Sequence, residues 1–305
     1  MKFRGLITDT SVMKDFMNIA TGLSRFSKEC VMRITERKVY FIISDEDNGP
    51  RRPLAWCELP VSFYFREYNL VGVTEEHNEI YLEFSTALLA RSLSILKQNV
   101  KSLKIKLTNK DSPCLTLEME MASEATQSRQ CVHDIPVEVI SRKHWNDYEE
   151  PRFNDFHVSI EMPNLKTIKT IVERMRNMSH SLTVSATKDG RLTFQIKTNI
   201  VTLSSHFPGL GVESFASNIK ITTSYINNSI ILVGQLELTS SDSQEEDQQK
   251  VSSIVDIKKF LMFLSGMQLN SCRTVCSIVH GKMVKLFMEQ PGALSLQIFL
   301  TQLSI

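Results

Sequence analysis

The stretch from Asn78 to Ala122 constrains the fold more than any other part of the sequence. It runs NEIYLEF, STALLARSLSILKQ, KSLKIKLTN, the turn KDSP and then CLTLEMEMA. Apolar residues alternate on either side and recur at helical spacing in the middle, which predicts strand, helix, strand, turn, strand. On the helix, Leu89, Leu93 and Leu96 share one side, while Arg91, Ser94, Lys97 and Gln98 gather on the other. Leu103, Ile105 and Leu107 alternate with Lys104 and Lys106, so the following strand has one buried and one wet face. A sheet with a wet face, covered by helices on the other, predicts an α+β fold and not a doubly wound one.

The preceding residues follow the same logic. Residues 2 to 8 predict a strand, and Asp9, Thr10 or Ser11 caps a helix that runs to about Lys28. Val12, Phe16, Ile19, Leu23 and Phe26 make its apolar stripe, with Lys14, Arg25 and Lys28 almost opposite. Strands are expected at 30 to 35 and 38 to 43, followed by the polar loop SDEDNGPRRP. LAWCELP is a short strand with Trp56 or Leu54 facing the core, and VSFYFREYNL is expected to pair beside it. CVHDIPVEVI is a strand with Pro136 near an edge, because proline cannot donate to a ladder. SRKHWNDYEEPRF has no period, as expected of a connector, in which Trp145 and Tyr148 either pack it down or form a partner surface.

The second half repeats this plan. HVSIEMP leads into a helix, LKTIKTIVERMRNM, that places Leu165, Ile168, Ile171, Val172 and Met175 on one face. Lys166, Lys169 and Arg174 lie on or beside the other, and Arg176 on a flank. SLTVSAT, a KDG turn and RLTFQIK predict a hairpin, and NIVTLSSHF a third strand. VSSIVD precedes a helix in which Ile257, Phe260, Leu261 and Leu264 oppose Lys258 and Lys259. Three strands close the chain. The expected division is a first domain over 1–139, a connector over 140–155 and a second domain over 156–305 with an insertion at about 208–250.

Composition matters here mainly through charge. The 305 residues are 42% hydrophobic and 23% charged, with a formal net charge of +1, which excludes a polybasic chain binding nucleic acid through bulk charge. Yet Lys14, Arg25, Lys28, Arg91, Lys97, Lys166, Lys169, Arg174, Arg176, Lys258 and Lys259 all fall on polar faces or flanks of the four helices. Few acids oppose them, mainly Asp15 and Glu173. Any solvated helix face favours lysine and arginine. A bias on all four helices of a nearly neutral chain predicts more, a positive helix-lined surface that touches phosphates without reading bases.

Other motifs carry no chemistry. Cys272, Cys276 and His280 are spaced by four, but the segment is predicted as a strand, and three ligands make a poor closed zinc site. Asp45, Glu46 and Asp47 read as a solvated turn. GLG at 209–211 is followed by no Lys-Ser or Lys-Thr. His133 and Asp134 take packing and turn roles, and the six scattered cysteines read as reduced core thiols. The expectation is no enzyme, no cofactor and no metal. No apolar run approaches a bilayer span, which predicts an intracellular chain outside the membrane.

MKFR, AWCELP, NEIYLEF, LKIKLTNK followed by PCLTLE, HDIPVEVI, RKHW with EEP, LKTIKTIVERMRN, SHF and GKMVKLFM occur in that order. In these segments the chain resembles the Hus-type subunits of the nine-one-one checkpoint clamp. The resemblance implies a DNA sliding-clamp fold: two similar domains, each with two helices on antiparallel sheet, in a three-membered ring whose basic helices surround double-stranded DNA. It also implies two sister subunits of the Rad type, a clamp loader, checkpoint-kinase activation, stimulation of repair enzymes, and a nuclear protein that is also cytoplasmic before assembly. Subunit contacts would fall on edge strands at Cys114 to Met121 (Cys114, Leu115, Leu117, Met119, Met121) and at Asn199 to His206 (Ile200, Thr202, Ser204, His206). Partner peptides would dock beneath the connector, at about Ile140 to Asp155. The segment from Pro208 to about Lys250 departs from the family pattern, with an expected extra hairpin around Asn227 and Asn228. In it, Ser243-Gln244 suits a checkpoint-type kinase. That departure motivates the alternative, a clamp-fold interaction scaffold that does not load on DNA.

Overall fold

A computed structural model describes residues 1–45, 52–121, 129–151, 153, 155–216, 250–266 and 272–303. The segment SDEDNGPRRP, the hairpin expected around Asn227 and Ser243 fall largely or wholly outside these residues. In the first half, β1 (Lys2–Ile7) is followed by α1 (Thr10–Leu23), β2 (Glu29–Ile34), β3 (Lys38–Asp45), β4 (Arg52–Pro60), the single turn α2 (Val61–Tyr64) and β5 (Glu67–Val71). Next come β6 (Ile80–Ser85), α3 (Thr86–Leu93), β7 (Val100–Asn109), β8 (Pro113–Met121), β9 (Arg129–Pro136) and the two-residue β10 (Glu138–Val139).

The second half contains β11 (Val158–Glu161), α4 (Leu165–Arg176), β12 (Ser181–Thr187), β13 (Leu192–Lys197), β14 (Thr202–Phe207) and β15 (Val212–Phe215). It ends with β16 (Lys250–Asp256), α5 (Ile257–Gly266), β17 (Arg273–Val279), β18 (Met283–Gln290) and β19 (Leu294–Thr301). Both halves therefore place one long helix after their first strand and another before their closing strands, β7–β10 in the first half and β17–β19 in the second. Among the described residues, no helix is long and apolar enough to cross a membrane.

Among the described residues the strands form three antiparallel sheets, ordered β5-β1-β7-β8-β9, β14-β13-β12-β16, and a ten-stranded one, β10-β6-β2-β3-β4-β19-β18-β17-β11-β15. The last crosses from one half to the other where Ala55 to Glu58 of β4 pair with Ser295 to Ile298 of β19. Helices and the inner sheet faces share one core, from Phe3, Phe16 and Leu103 to Phe194, Phe260 and Ile298. Aromatic rings fill it edge to face, for example Phe194 against Phe260 at 5.4 Å. The expected placement of VSFYFREYNL is corrected here. Val61–Tyr64 turns as a helix and Glu67–Val71 pairs with β1, not with β4. Periodicity shows which face of a strand is buried but not which neighbour it takes.

Local chemistry explains the element ends. Asp9 is the residue that caps α1, its carboxylate accepting from the backbone N–H of Ser11 and Val12 at 2.7 and 3.1 Å. The Lys-Asp-Gly hairpin joins β12 and β13 with Gly190 at φ 84°, where an added Cβ would lie 2.4 Å from the carbonyl oxygen of Leu210. Only glycine meets both demands at that position.

Candidate nucleic-acid interface

Burial sets the outward face of each helix. α1 buries Val12, Met13, Phe16, Met17, Ile19, Ala20 and Leu23, α3 buries Leu89 and Leu93, and α4 buries Ile168, Val172 and Met175. α5 buries Ile257, Phe260, Leu261, Phe263 and Leu264. The residues left facing water include Lys14, Arg91, Lys166, Arg174, Arg176 and Lys258, all exposed, while Lys169 and Lys259 are half-exposed. Lys97 is also exposed, on the 3-10 turn Ser94–Lys97 that continues α3. α1 packs on α3, α4 on α5, and α1 touches α5, so the four helices stand in the row α3, α1, α5, α4.

Two positions differ from the expected helix. α1 ends at Leu23, so Arg25 lies in the following turn and Lys28 just before β2. The Arg25 guanidinium donates to the carbonyl of Ser265 in the last turn of α5, at 2.5 Å. It joins the two halves as well as facing solvent. The acids of the row are partly neutralised: Glu173 lies 3.8 Å from Lys169 one turn away. Burial, with Asp9 nearby, raises the carboxyl of Asp15 above its ordinary value. Arg174 and Arg176 occupy the last turn of α4, where they complement the helix dipole. Such a row offers flexible cations and no fixed array of base-reading donors, which suits phosphates of any sequence.

The expected strand edges are half right. β8 is not an edge: it pairs with β7 on one side and β9 on the other, and Cys114, Leu115, Leu117 and Met119 are buried, with Met121 half-buried. Among the described residues the open edge of that sheet is the next strand, β9, because Arg129–Pro136 has a ladder with β8 alone. Among the described residues β14 is an edge, pairing only with β13. Thr202 and His206 are exposed there and Ser204 half-exposed, and Ile200, just before the strand, is 93% exposed. The exposed Val201 and Leu203 add to an apolar strip along an edge that no other described strand covers.

The connector lies on the outer face of the ten-stranded sheet. Trp145 stacks on Tyr81 at 4.5 Å and donates from Nε1 to the carbonyl of Ile140 at 3.1 Å, and Tyr148 is buried beside Trp56 and Phe299. Packing, not exposure, is therefore the role of these two rings. Gln297 of β19 fastens the connector's far end, donating to Glu150 at 2.6 Å. Between connector and sheet is a cavity of about 480 Å³ whose lining includes Tyr40, Glu58, Tyr81, Trp145 and Glu149. Arg33 reaches across it, held by Glu79 through two bonds of 2.8 and 3.0 Å and lying over Tyr40 and Tyr81. Sequence gave no hint of this cluster because its members converge from β2, β3, β6 and the connector.

The remaining candidates resolve individually. Cys276 is buried in β17, its thiol pushed up to about 12 by burial, while His280 accepts the backbone N–H of Ser252 on Nδ1. Among the described residues, no three His, Cys, Asp or Glu side chains gather as metal ligands. Asp134 accepts from Lys110 at 2.6 Å and from Thr116 at 2.5 Å. These bonds, led by that from Lys110, lower its carboxyl. His133 contacts Cys131, with Nε2 3.3 Å from Sγ. Cys131 and Cys272 are half-exposed, so the expectation of six core thiols holds for four.

A family model described as Hus1-like protein matches residues 1–304. The human Checkpoint protein HUS1 is 39% identical over 305 residues, covering all of both chains. The Checkpoint protein Hus1-like of Drosophila melanogaster is 31% identical over 220 residues, 72% of this chain and 79% of that one. Among solved structures, PCNA from Thermococcus kodakaraensis superposes with a TM-score of 0.62 at 14% identity, covering 98% of this chain and 99% of that one. PCNA from Entamoeba histolytica gives 0.66 at 11%, covering 99% of each. At these identities the two clamps establish the fold alone.

Proposed function

Because the chain belongs to the Hus1-like protein family, we propose that it acts as the non-enzymatic Hus-type subunit of a heterotrimeric checkpoint sliding clamp. The ring encircles double-stranded DNA at damage sites in the nucleus, where it supports checkpoint-kinase activation and repair. One observation carries the reading: four helices stand in a row, and each turns lysine or arginine away from its sheet in a chain of net charge +1. A ring lined by such helices holds the duplex through counterion release, so it retains DNA without fixing a sequence.

The domains are 1–139 and 156–305, with 140–155 as the connector. Two open edges, β9 and β14, supply the seams to two sister subunits, because an edge ladder completed by a neighbour satisfies its unpaired backbone groups. A clamp loader places the ring on DNA, and repair enzymes dock on its outer surface.

The test mixes the purified chain with its two candidate sister subunits and measures native mass by light scattering, then retention on closed circular DNA after loading. Reversing charge at Lys14, Arg91, Lys166 and Lys258 is expected to leave the 1:1:1 complex intact and to lower retention. Assembly with retention unchanged by those four reversals overturns DNA encirclement by this surface and leaves the scaffold reading.

A further inference from the structure

We propose that the cavity between the connector and the ten-stranded sheet is a binding site for an arginine side chain presented by a basic segment of a partner protein. Its volume of about 480 Å³ lies within the range of about 300–1,000 Å³ typical of ligand sites. It opens on the sheet face opposite the helices. The proposal rests on the docking role given above to the outer surface, and it supplies the chemistry of what docks there.

Charge selects a cation. Glu58, Glu79, Glu149 and Glu150 line the cavity against two cations, Arg33 and Arg142. Lys38 bonds Glu58 at 2.5 Å and Arg33 is held by Glu79, so the negative excess falls at the rim, on the exposed Glu149 and Glu150. Glu150 accepts from Gln297, a neutral donor that leaves its charge in place. An apolar anchor would bury carboxylates without partners, and an anionic one would meet like charge.

The walls select a guanidinium. Tyr40, Trp56, Tyr81 and Trp145 supply them. Arg33 shows what such walls accept: its guanidinium lies 5.1 Å from the ring centre of Tyr40 and 5.6 Å from that of Tyr81 while both its bonds go to Glu79. An arginine entering at the rim meets the same two kinds of contact, an aromatic face and a carboxylate. Its planar head stacks as a lysine ammonium does not.

The chain has two tryptophans, Trp56 and Trp145, and both line the cavity, so intrinsic fluorescence reports its occupation. The experiment titrates the full chain, without sister subunits, with an end-blocked tripeptide of arginine between two glycines. A matched peptide carries citrulline, which keeps the shape and loses the charge. The arginine peptide is expected to give a saturable change, and the citrulline peptide to bind roughly tenfold or more weakly. E149Q/E150Q alters two exposed side chains and keeps an acceptor for Gln297, so the fold is retained. It should weaken the arginine peptide roughly fivefold, while E173Q on α4 leaves the affinity unchanged. The proposal is overturned by the absence of a saturable change, by equal binding of the citrulline peptide, or by an E149Q/E150Q chain with unaltered affinity. Any of these leaves ring assembly, measured separately by native mass, untouched.

Discussion

Arg25 and Ser265, 240 residues apart, meet where the guanidinium of the first half donates to a carbonyl at the end of α5. A cation at a helix C-terminus is favourable both as a hydrogen bond and against the helix dipole. Arg25→Ala is expected to cost about 1 kcal/mol in chemical denaturation, whereas Lys14→Ala, on an exposed face with no such carbonyl, costs within about 0.5 kcal/mol. Equal effects would remove the junction role assigned to Arg25.

The strip before and within β14 predicts a separation of stability from assembly. Ile200 and Leu203 are exposed in the single chain. Ile200→Lys with Leu203→Lys should shift the denaturation free energy by no more than about 0.5 kcal/mol and abolish co-elution with the sister subunit that meets this edge. Charged residues on an edge strand act against strand addition. Normal co-elution of the double variant places the seam elsewhere.

Trp145 predicts an effect on the connector. Its ring stacks on Tyr81 and its Nε1 is bonded to Ile140, so Trp145→Ala removes a buried ring and a hydrogen bond together. The expected loss is about 2–4 kcal/mol in denaturant titration. Limited proteolysis should then cut within the connector first.

His280 gives stability a dependence on acid. The Nδ1 of His280 accepts the N–H of Ser252, and the Nδ1 of His157 accepts the N–H of His280, both at 3.1 Å. Burial, and then the neighbouring His157, push His280 below its ordinary value. The unfolded chain therefore binds protons that the folded one refuses, and stability falls as the pH drops below about 6.5. His280→Asn keeps an acceptor near Nδ1 without the titration. Thermal melts from pH 7.5 to 5 should decline less steeply in that variant; parallel declines would assign the effect to other groups.

Much of this is legible in the sequence itself. Alternation in LKIKLTN marked Leu103 and Ile105 as buried and Lys104 and Lys106 as wet, and the two lysines indeed pair across the ladder with Glu118 on the outer face. Helical spacing placed Lys166 and Arg174 opposite Ile168 and Val172. The edge was misplaced by one strand because β8 and β9 both alternate, and strand order depends on the whole sheet. Phe26 extended the apolar stripe of α1 past its true end because it is buried from a turn. Arg33, Tyr40, Tyr81 and Trp145 were invisible as a group because no spacing along the chain brings them together.

The β4–β19 pairing also has a mechanical meaning. Neighbouring strands from opposite halves share hydrogen bonds and a core, so bending the chain at its middle would shear a ladder and expose packed side chains. The chain should behave as a stiff arc. A closed assembly made of such arcs then opens by hinging or parting between chains, and whatever opens it must grip the joints and leave each arc unbent.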